Sequence, residues 1–212
     1  MIKCFLNPKK LIYATRVLFE YLYGKSILYR HYDVKYVSGS RFFQKGRFGF
    51  IGAPIWKMAI NDYLSCKRLR VNSGVPWPVS SRISVVHPEN ITFHPDDLNN
   101  FQGFGNYFQA IGHITIGKGT YIAPNVGIIT SNHSITDLDK HDTSEPVNLG
   151  NNCWIGMNSM ILPGVVLGEK TIVGAGSVVT KSFSEGNCVI AGNPAKLIRK
   201  LDFDEGLKVN ET

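Results

Sequence analysis

The chain has 212 residues, of which 43% are hydrophobic and 18% charged, so it can bury a sizeable core and is not disordered by composition. Its four cysteines, Cys4, Cys66, Cys153 and Cys188, form no CxxC pair, which excludes a disulfide framework and a zinc pattern. No run approaches the ~20 apolar residues that span a bilayer, and the N-terminus does not resemble a signal peptide. We therefore expect a cytoplasmic protein with reduced thiols.

Positive charge is concentrated at the start of the chain. Residues 1–70 hold 14 Lys and Arg against three acids, a formal charge of +11, whereas the remainder carries −4. Such a segment either faces an anionic membrane, an acidic substrate or nucleic acid, or is a solvated basic surface. No nucleic-acid module is recognisable, so we expect no nucleic acid partner. Peripheral contact with the inner face of the membrane remains open.

The first predicted element is a helix over residues 8–24. Pro8 suits a helix start and Gly24 a helix end. Apolar residues recur at steps of three and four, at Leu11, Ala14, Leu18, Tyr21 and Leu22. A helix of this kind most often packs on its own domain or on a partner subunit, and we adopt that interpretation; a membrane surface is the alternative.

The next segment is aromatic, basic and irregular. Residues 25–75 suggest short strands separated by glycine turns, so we predict a basic N-terminal α/β extension over residues 1–75. Residues 76–105 alternate short apolar strands with proline and glycine, which indicates a lead-in to the region that follows.

A six-residue repeat dominates the second half of the chain. Aliphatic residues stand at Leu149, Ile155, Ile161, Leu167, Val173 and Val179, and a shorter run with the same spacing stands at Ile116, Ile122 and Ile128. Most are followed directly by glycine. The residue four positions after each aliphatic is small or β-branched, at Cys153, Ser159, Val165, Thr171 and Ser177.

A period of six residues fits one short strand plus one turn, repeated. Three such units make one coil of a triangular prism, with the aliphatic residue in the core and the small residue beside it. We interpret the glycine as giving the turn its backbone freedom. The repeat therefore predicts a parallel β-solenoid over residues 76–201, with an excursion loop at 129–148 where the repeat breaks and a C-terminal tail at 202–212.

The stretch VNLGNNCWIGMNSMILPGVVLGEKTIVGAGSVVTKSF, followed by VIAGNPAKLIRKL, resembles the hexapeptide-repeat acyltransferases. The resemblance covers residues 105–201 and is nearest to O-acetyltransferases acting on sugars and surface polysaccharides, akin to the maltose and serine acetyltransferases. It implies an all-β fold, a left-handed parallel β-helix, which with the elements above gives an N-terminal α/β extension and a short C-terminal helix. It also implies a homotrimer, and acetyl-coenzyme A as co-substrate with no metal.

In similar enzymes a histidine before the excursion loop acts as general base, and the matching residue is His133. A histidine can take a proton from an attacking hydroxyl and return it to the leaving thiolate. Relatives commonly have Pro or Asp after this histidine, and here the residue is Ser134. Asp137, Asp139 or a backbone carbonyl would then orient His133, and His141 is the alternative base or an acceptor contact.

The resemblance also assigns the coenzyme A groove. Positions matching the family are Trp154, Gly156 and Met157 near the thioester, Ala175, Thr180 and Lys181 further along, and Lys196 and Arg199 at the phosphates. The alternative for the last two is a solvated helix that begins after Pro194.

Few residues of the sequence indicate where the acceptor binds. Asn106 and Gln109 stand one coil before the loop and either bind a sugar or cap a turn. The sequence leaves hydroxyl and amine acceptors open. A zinc lyase resembling the γ-class carbonic anhydrases would need histidines closer than His133 and His141 on one rigid strand. A non-enzymatic scaffold using the basic face is a further alternative.

Overall fold

The N-terminal part of the computed structural model is helical. The structure describes residues 8–44 and 49–201, and the predicted tail at 202–212 lies outside them. Helix α1 (Pro8–His31) packs against helix α2 (Pro54–Leu69). Short 3-10 helices lie between them at Val34–Tyr36, Arg41–Phe43 and Phe50–Gly52.

The strands predicted for residues 25–75 are therefore wrong for the described part of that range. Pro54 occupies the first turn of α2, where its missing N–H costs nothing, and Ile55, Trp56, Ala59 and Asp62 recur on one buried face. Two aromatic residues of this range and one from α1 instead surround Trp56. They are Tyr21, Phe43 and Phe50, with ring centroids 5.2–5.4 Å from the Trp56 ring.

Gly24 lies inside α1 instead of ending it, because the helix continues to His31. A Cβ atom at Gly24 would collide with the backbone of Trp56, so the absent side chain is what lets α2 approach. The glycine is a helix-contact residue, and the predicted helix end at this position is wrong.

Residues 84–200 form a solenoid of short strands arranged in three sheets. The strands are β1 (Ser84–Val86), β2 (Ile91–Phe93), β3 (Tyr107–Gln109), β4 (Ile114–Ile116), β5 (Tyr121–Ile122), β6 (Gly127–Ile129), β7 (Val147–Leu149), β8 (Trp154–Ile155), β9 (Met160–Ile161), β10 (Val166–Leu167), β11 (Thr171–Val173), β12 (Val178–Val179), β13 (Cys188–Gly192) and β14 (Ala195–Lys200).

The chain visits the three sheets in turn. The first sheet contains β1, β3, β6, β9 and β12, the second β2, β4, β7 and β10, and the third β5, β8, β11, β13 and β14. All neighbouring strands are parallel except β13 and β14. The predicted parallel β-solenoid is confirmed.

The aliphatic residues of the repeat form the core of the prism. All nine are buried, none with more than 9% of its surface exposed. The five small or β-branched residues are buried beside them, each exposing 1% or less. Burying methyl and methylene groups at every corner drives the coils to stack, at about 25 cal/mol for each Å² removed from water.

The glycine that follows most of the aliphatic residues serves a different purpose from the one expected. Gly117, Gly150 and Gly156 do not have positive φ; a Cβ atom there would come within 3 Å of the backbone of the next coil. A left-handed residue instead stands three positions after seven of the nine aliphatic residues, Ile128 and Val179 being the exceptions. These residues are Gly119, Asn125, Asn152, Asn158, Gly164, Lys170 and Gly176.

The N-terminal end of the solenoid core continues into an aromatic cluster. The Trp77 ring lies 4.8 Å from Tyr36 and 5.1 Å from Phe101, and Phe101 lies 5.0 Å from Phe108. Asn100 replaces a strand at the start of the third sheet, because its amide accepts from the Ile122 N–H and donates to the Thr120 carbonyl. The helices and the solenoid thus share one hydrophobic core.

The prediction of a short C-terminal helix is wrong, because residues 195–200 form strand β14, which is antiparallel to β13. Strand β13 is the last of the parallel coils and would otherwise leave its backbone N–H and C=O groups without a ladder. Strand β14 pairs with that edge and closes the sheet. Within residues 8–44 and 49–201, no helix is long and apolar enough to span a membrane.

Candidate active site

The loop between β6 and β7 leaves the solenoid at the corner between the first and second sheets. Residues that pair in a sheet are one coil apart, so their separation along the chain gives the length of the coil. A regular coil has 18 residues, from Leu149 to Leu167, whereas the coil from Ile116 to Leu149 has 33. One coil thus carries about 15 additional residues. A long excursion from a rigid scaffold is a common place for binding and catalytic groups.

The base of the loop is fixed by hydrogen bonds from the coil below. The Thr130 hydroxyl donates to the Gln109 carbonyl oxygen at 2.8 Å and accepts from the Gly112 N–H at 2.9 Å. The Gln109 side-chain oxygen accepts from the Ser131 N–H at 3.2 Å. Gln109 therefore anchors the start of the loop that carries the candidate base.

His133 lies in a short antiparallel hairpin within the loop. The Asp142 N–H donates to the Asn132 carbonyl at 2.9 Å, and the Ser134 N–H donates to the Lys140 carbonyl at 2.8 Å. These bonds bring His133 opposite His141, with their ring centroids 4.3 Å apart. Both side chains are exposed, so the hairpin presents two imidazoles to solvent.

A backbone carbonyl orients His133. Its Nδ1 lies 2.8 Å from the Leu138 carbonyl oxygen. Because a carbonyl oxygen can only accept, Nδ1 carries the proton of the neutral ring, and Nε2 keeps a lone pair that can accept one. Asp137 instead bonds Lys140 at 2.9 Å and accepts from the Asp139 N–H. The structure thus brings Asp137 into the hairpin but gives His133 a carbonyl as its partner.

Part of the predicted cofactor set lies along the outer face of the third sheet. Register places Trp154 between Tyr121 and Ile172, and Val189 between Ile172 and Arg199. Trp154 exposes 57% of its surface. With strands ~4.8 Å apart, Trp154 and Arg199 lie roughly 14 Å apart in one row. Lys196 lies on the same outermost strand, opposite Ala191.

Gly156, Met157 and Ala175 lie at the corner where the third sheet turns into the first. The Gly156 N–H already donates to the Val173 carbonyl at 2.9 Å, and the Met157 carbonyl accepts from Gly176 at 2.8 Å. Gly156 therefore contributes close packing of the coils, while the exposed Met157 and Ala175 face solvent.

Thr180 and Lys181 follow β12 and lie at the corner between the first and second sheets, where the His133 loop also departs. This corner is opposite the third sheet in the triangular cross-section. One chain thus carries the predicted residues on two sides of the prism, with Trp154 on one and His133 on the other. The sequence analysis did not anticipate this division, because it assigned the cofactor residues by position in the repeat and not by the side of the prism on which they lie.

A groove of about 330 Å³ crosses the C-terminal end of the solenoid. Lys181 and Lys200 both line it, beside Phe183 and Leu197. The Lys200 ammonium pairs with Glu185 at 2.9 Å. Lys200 was not among the predicted site residues, although it belongs to the same basic run as Lys196 and Arg199.

The acceptor residues have different environments. Asn106 is buried, and its side-chain oxygen accepts from the Val126 N–H at 3.1 Å. It therefore caps a turn, the alternative considered for it, and is not open to an acceptor. Gln109 is half-buried beneath the loop, as described above.

Cys153 occupies a core position with 1% of its surface exposed. Its thiol donates to the Gly168 carbonyl, and burial raises the pKa of this thiol. A buried, protonated thiol is a poor nucleophile, so the chemistry at this site does not pass through Cys153. Within the two described ranges, no group of three His, Cys, Asp or Glu is arranged to hold a metal ion.

Known proteins share the solenoid half of this chain. Residues 146–181 match the family model described as bacterial transferase hexapeptide (six repeats). The galactoside O-acetyltransferase of Escherichia coli K12 is 41% identical over 92 residues, which cover 42% of this chain and 45% of that protein. The chain spans about half the length of the curated relatives it matches.

Solved structures resemble it as well. A maltose O-acetyltransferase from Clostridium difficile 630 is 34% identical, over 57% of this chain and 60% of that one, with a TM-score of 0.43. A galactoside acetyltransferase in complex with coenzyme A is 26% identical, over 88% and 82%, with a TM-score of 0.47. Residues 146–181 of this chain thus carry the repeat of the bacterial hexapeptide transferases, and the solenoid half of the chain is similar in sequence to an O-acetyltransferase.

Proposed function

We propose that this protein transfers the acetyl group of acetyl-coenzyme A to a hydroxyl of a sugar, such as a surface polysaccharide precursor. The observation that carries the proposal is the bond from His133 Nδ1 to the Leu138 carbonyl, which leaves Nε2 ready to take a proton. The 41% identity to a galactoside O-acetyltransferase supports the same reaction class.

The reaction is a direct transfer in which Nε2 of His133 moves one proton. The acceptor hydroxyl oxygen attacks the thioester carbonyl carbon while its proton passes to Nε2. The tetrahedral intermediate carries negative charge on the former carbonyl oxygen, which a backbone N–H donor would stabilise. Collapse breaks the carbon–sulfur bond, and the leaving thiolate takes the proton back from Nε2. Nothing is oxidised, and the histidine returns to its starting state.

Acetyl-coenzyme A would lie against the exposed side chains of the predicted cofactor residues. Trp154, Met157 and Ala175 offer surface for the pantetheine arm. Thr180, Lys181, Lys196 and Arg199 offer donors and positive charge for the phosphates, and Lys200 adds a cation in the groove that Lys181 lines.

A shared site explains why these residues lie on two sides of one prism. In a homotrimer the His133 corner of one subunit can face the third sheet of its neighbour, so that each site takes its base from one chain and Trp154 from the next. We propose this arrangement, together with a left-handed coil, and place the reaction in the cytoplasm, where acetyl-coenzyme A is made.

Acetyl transfer can be measured with carbon-13-labelled acetyl-coenzyme A and a panel of sugars, sugar nucleotides and amino sugars. We expect a sugar to gain one labelled acetyl group per thiol released, and the product to lose it in mild alkali, as an ester does. An alkali-stable product would identify an amide and move the function to N-acetylation. Thiol release without transfer to any sugar would contradict the proposal.

A further inference from the structure

Helix α1 has two opposite apolar faces, of which the structure covers one. Val17, Gly24, Ile27 and Leu28 are buried against the rest of the domain. The opposite face exposes large apolar side chains, each between 38% and 68% accessible. They are Leu11, Ile12, Leu18, Phe19, Leu22, Tyr23 and Tyr29.

These side chains form one continuous stripe. At about 100° per residue, Leu11, Leu18, Leu22 and Tyr29 fall within roughly 40° of one another, and Ile12, Phe19 and Tyr23 extend the same face. The stripe runs from Leu11 to Tyr29, which at about 1.5 Å per residue is a length of about 27 Å. Isolated exposed apolar residues are common, but a contiguous stripe of this length marks a surface that something covers.

Cations border the stripe. Lys25 lies along one edge and Arg16 along the other, and Arg30 stands directly after Tyr29 at the C-terminal end of the stripe. Within α1 there are five Lys and Arg, Lys9, Lys10, Arg16, Lys25 and Arg30, against one acid, Glu20, which pairs with Arg16 at 2.9 Å. Tyr23 and Tyr29 add side chains with an apolar ring and a polar tip, which suit the boundary between lipid and water.

We propose that this face of α1 binds the surface of an anionic phospholipid bilayer, with the helix in the plane of the membrane. Apolar side chains enter the boundary between headgroups and acyl chains, and the bordering cations contact lipid phosphates. Charge favours a membrane over a second copy of the chain, because two such faces would bring like cationic borders together. Because α1 is fixed to the domain by its other face, binding would hold the solenoid at the membrane.

Sedimentation of the full-length protein with vesicles tests the proposal without any acyl donor, so its result is independent of the proposed function. We expect binding to equimolar phosphatidylglycerol and phosphatidylcholine, weaker binding to phosphatidylcholine alone, and weakening as salt rises from about 0.1 M to about 0.5 M. The triple variant Leu18→Ser, Phe19→Ser, Leu22→Ser should bind at least about a hundredfold more weakly.

The matched control removes exposed aliphatic side chains elsewhere. Ile135 and Ile198 are 95% and 62% accessible, so the double variant Ile135→Ser, Ile198→Ser should bind like the wild type. Circular dichroism checks that the triple variant keeps its helices, and Lys25→Gln with Arg30→Gln gives a second, less disruptive variant that should lose the preference for anionic vesicles. Absence of binding to the anionic vesicles would overturn the proposal. So would a triple variant that changes only the oligomeric state, since a second copy would then be the occupant.

Discussion

Replacing His133 with alanine is expected to lower acetyl transfer about 100-fold to 10,000-fold while leaving the affinity for acetyl-coenzyme A within about twofold. The expectation follows from the geometry of the hairpin, in which Nδ1 is held by the Leu138 carbonyl and only Nε2 can serve as base. Alanine removes the proposed proton acceptor but leaves the proposed cofactor residues in place. Steady-state turnover and calorimetric binding, measured on the same preparation, check the two halves of the prediction.

Two other histidine variants serve as controls. The His141 ring lies 4.3 Å from the His133 ring, tilted by 32°, and does not share its carbonyl bond, so His141→Ala should lower turnover about tenfold through poorer positioning of His133. His87→Asn changes a histidine outside the loop that has positive φ, which asparagine tolerates, and should keep full turnover. A His133→Ala protein that keeps turnover, or a larger loss in His141→Ala, would contradict the assignment of the base.

Mixing His133→Ala with Trp154→Ala, which we expect to lose turnover as well, tests whether each site is shared between neighbouring subunits. Trp154 lies on the third sheet, on the other side of the prism from the His133 loop. If neighbouring subunits complete each site, refolding equal amounts of His133→Ala and Trp154→Ala together should restore about a quarter of the wild-type rate. No recovery in trimers that have mixed would show that one chain supplies both residues.

Gly150→Ala is expected to lower the free energy of unfolding by about 3 kcal/mol. A Cβ atom at residue 150 would lie 2.7 Å from the Glu169 nitrogen and from the Gly168 carbonyl carbon. Both atoms belong to backbone of the next coil and cannot move aside as a flexible side chain would. The coils must therefore separate at this corner, and urea unfolding at neutral pH measures the cost.

Gly103 provides the matched control. It does not have positive φ, and an added Cβ would have no atom within 4 Å. Gly103→Ala should therefore change the free energy of unfolding by no more than about 0.5 kcal/mol. If Gly150→Ala were as well tolerated as Gly103→Ala, the corner glycines would not be contact residues, and our account of the repeat would be wrong.

The solenoid could be predicted because each hexad repeats the same local requirement. An aliphatic residue such as Leu149 fills the core, and four positions later a small residue such as Cys153 fits beside it. The left-handed position was placed one residue after the aliphatic and was wrong, because Gly119, Asn125, Asn152 and Asn158 occupy it three residues after an aliphatic. Glycine and asparagine are the residues that adopt this conformation at least cost.

The flanking elements were harder to predict because their structure depends on distant contacts. Gly24 was predicted to end the helix. It instead lies within the helix and contacts the backbone of Trp56, which is 32 residues further along the chain. Residues 195–200 were predicted to form a helix after Pro194, but they form a strand because they pair with the edge of β13. In the site, His133 was chosen from the resemblance and its role stays a prediction, whereas its carbonyl partner depends on the fold of the hairpin.

Calorimetric titration with acetyl-coenzyme A tests the central claim most directly, because it requires no knowledge of the acceptor. We predict saturable binding at one site per subunit. The double variant Lys181→Ala, Arg199→Ala should bind at least about tenfold more weakly. Lys118→Ala, which removes an exposed cation from the corner between the second and third sheets, should bind like the wild type. Absence of binding by the folded wild-type protein would contradict acetyl transfer from coenzyme A.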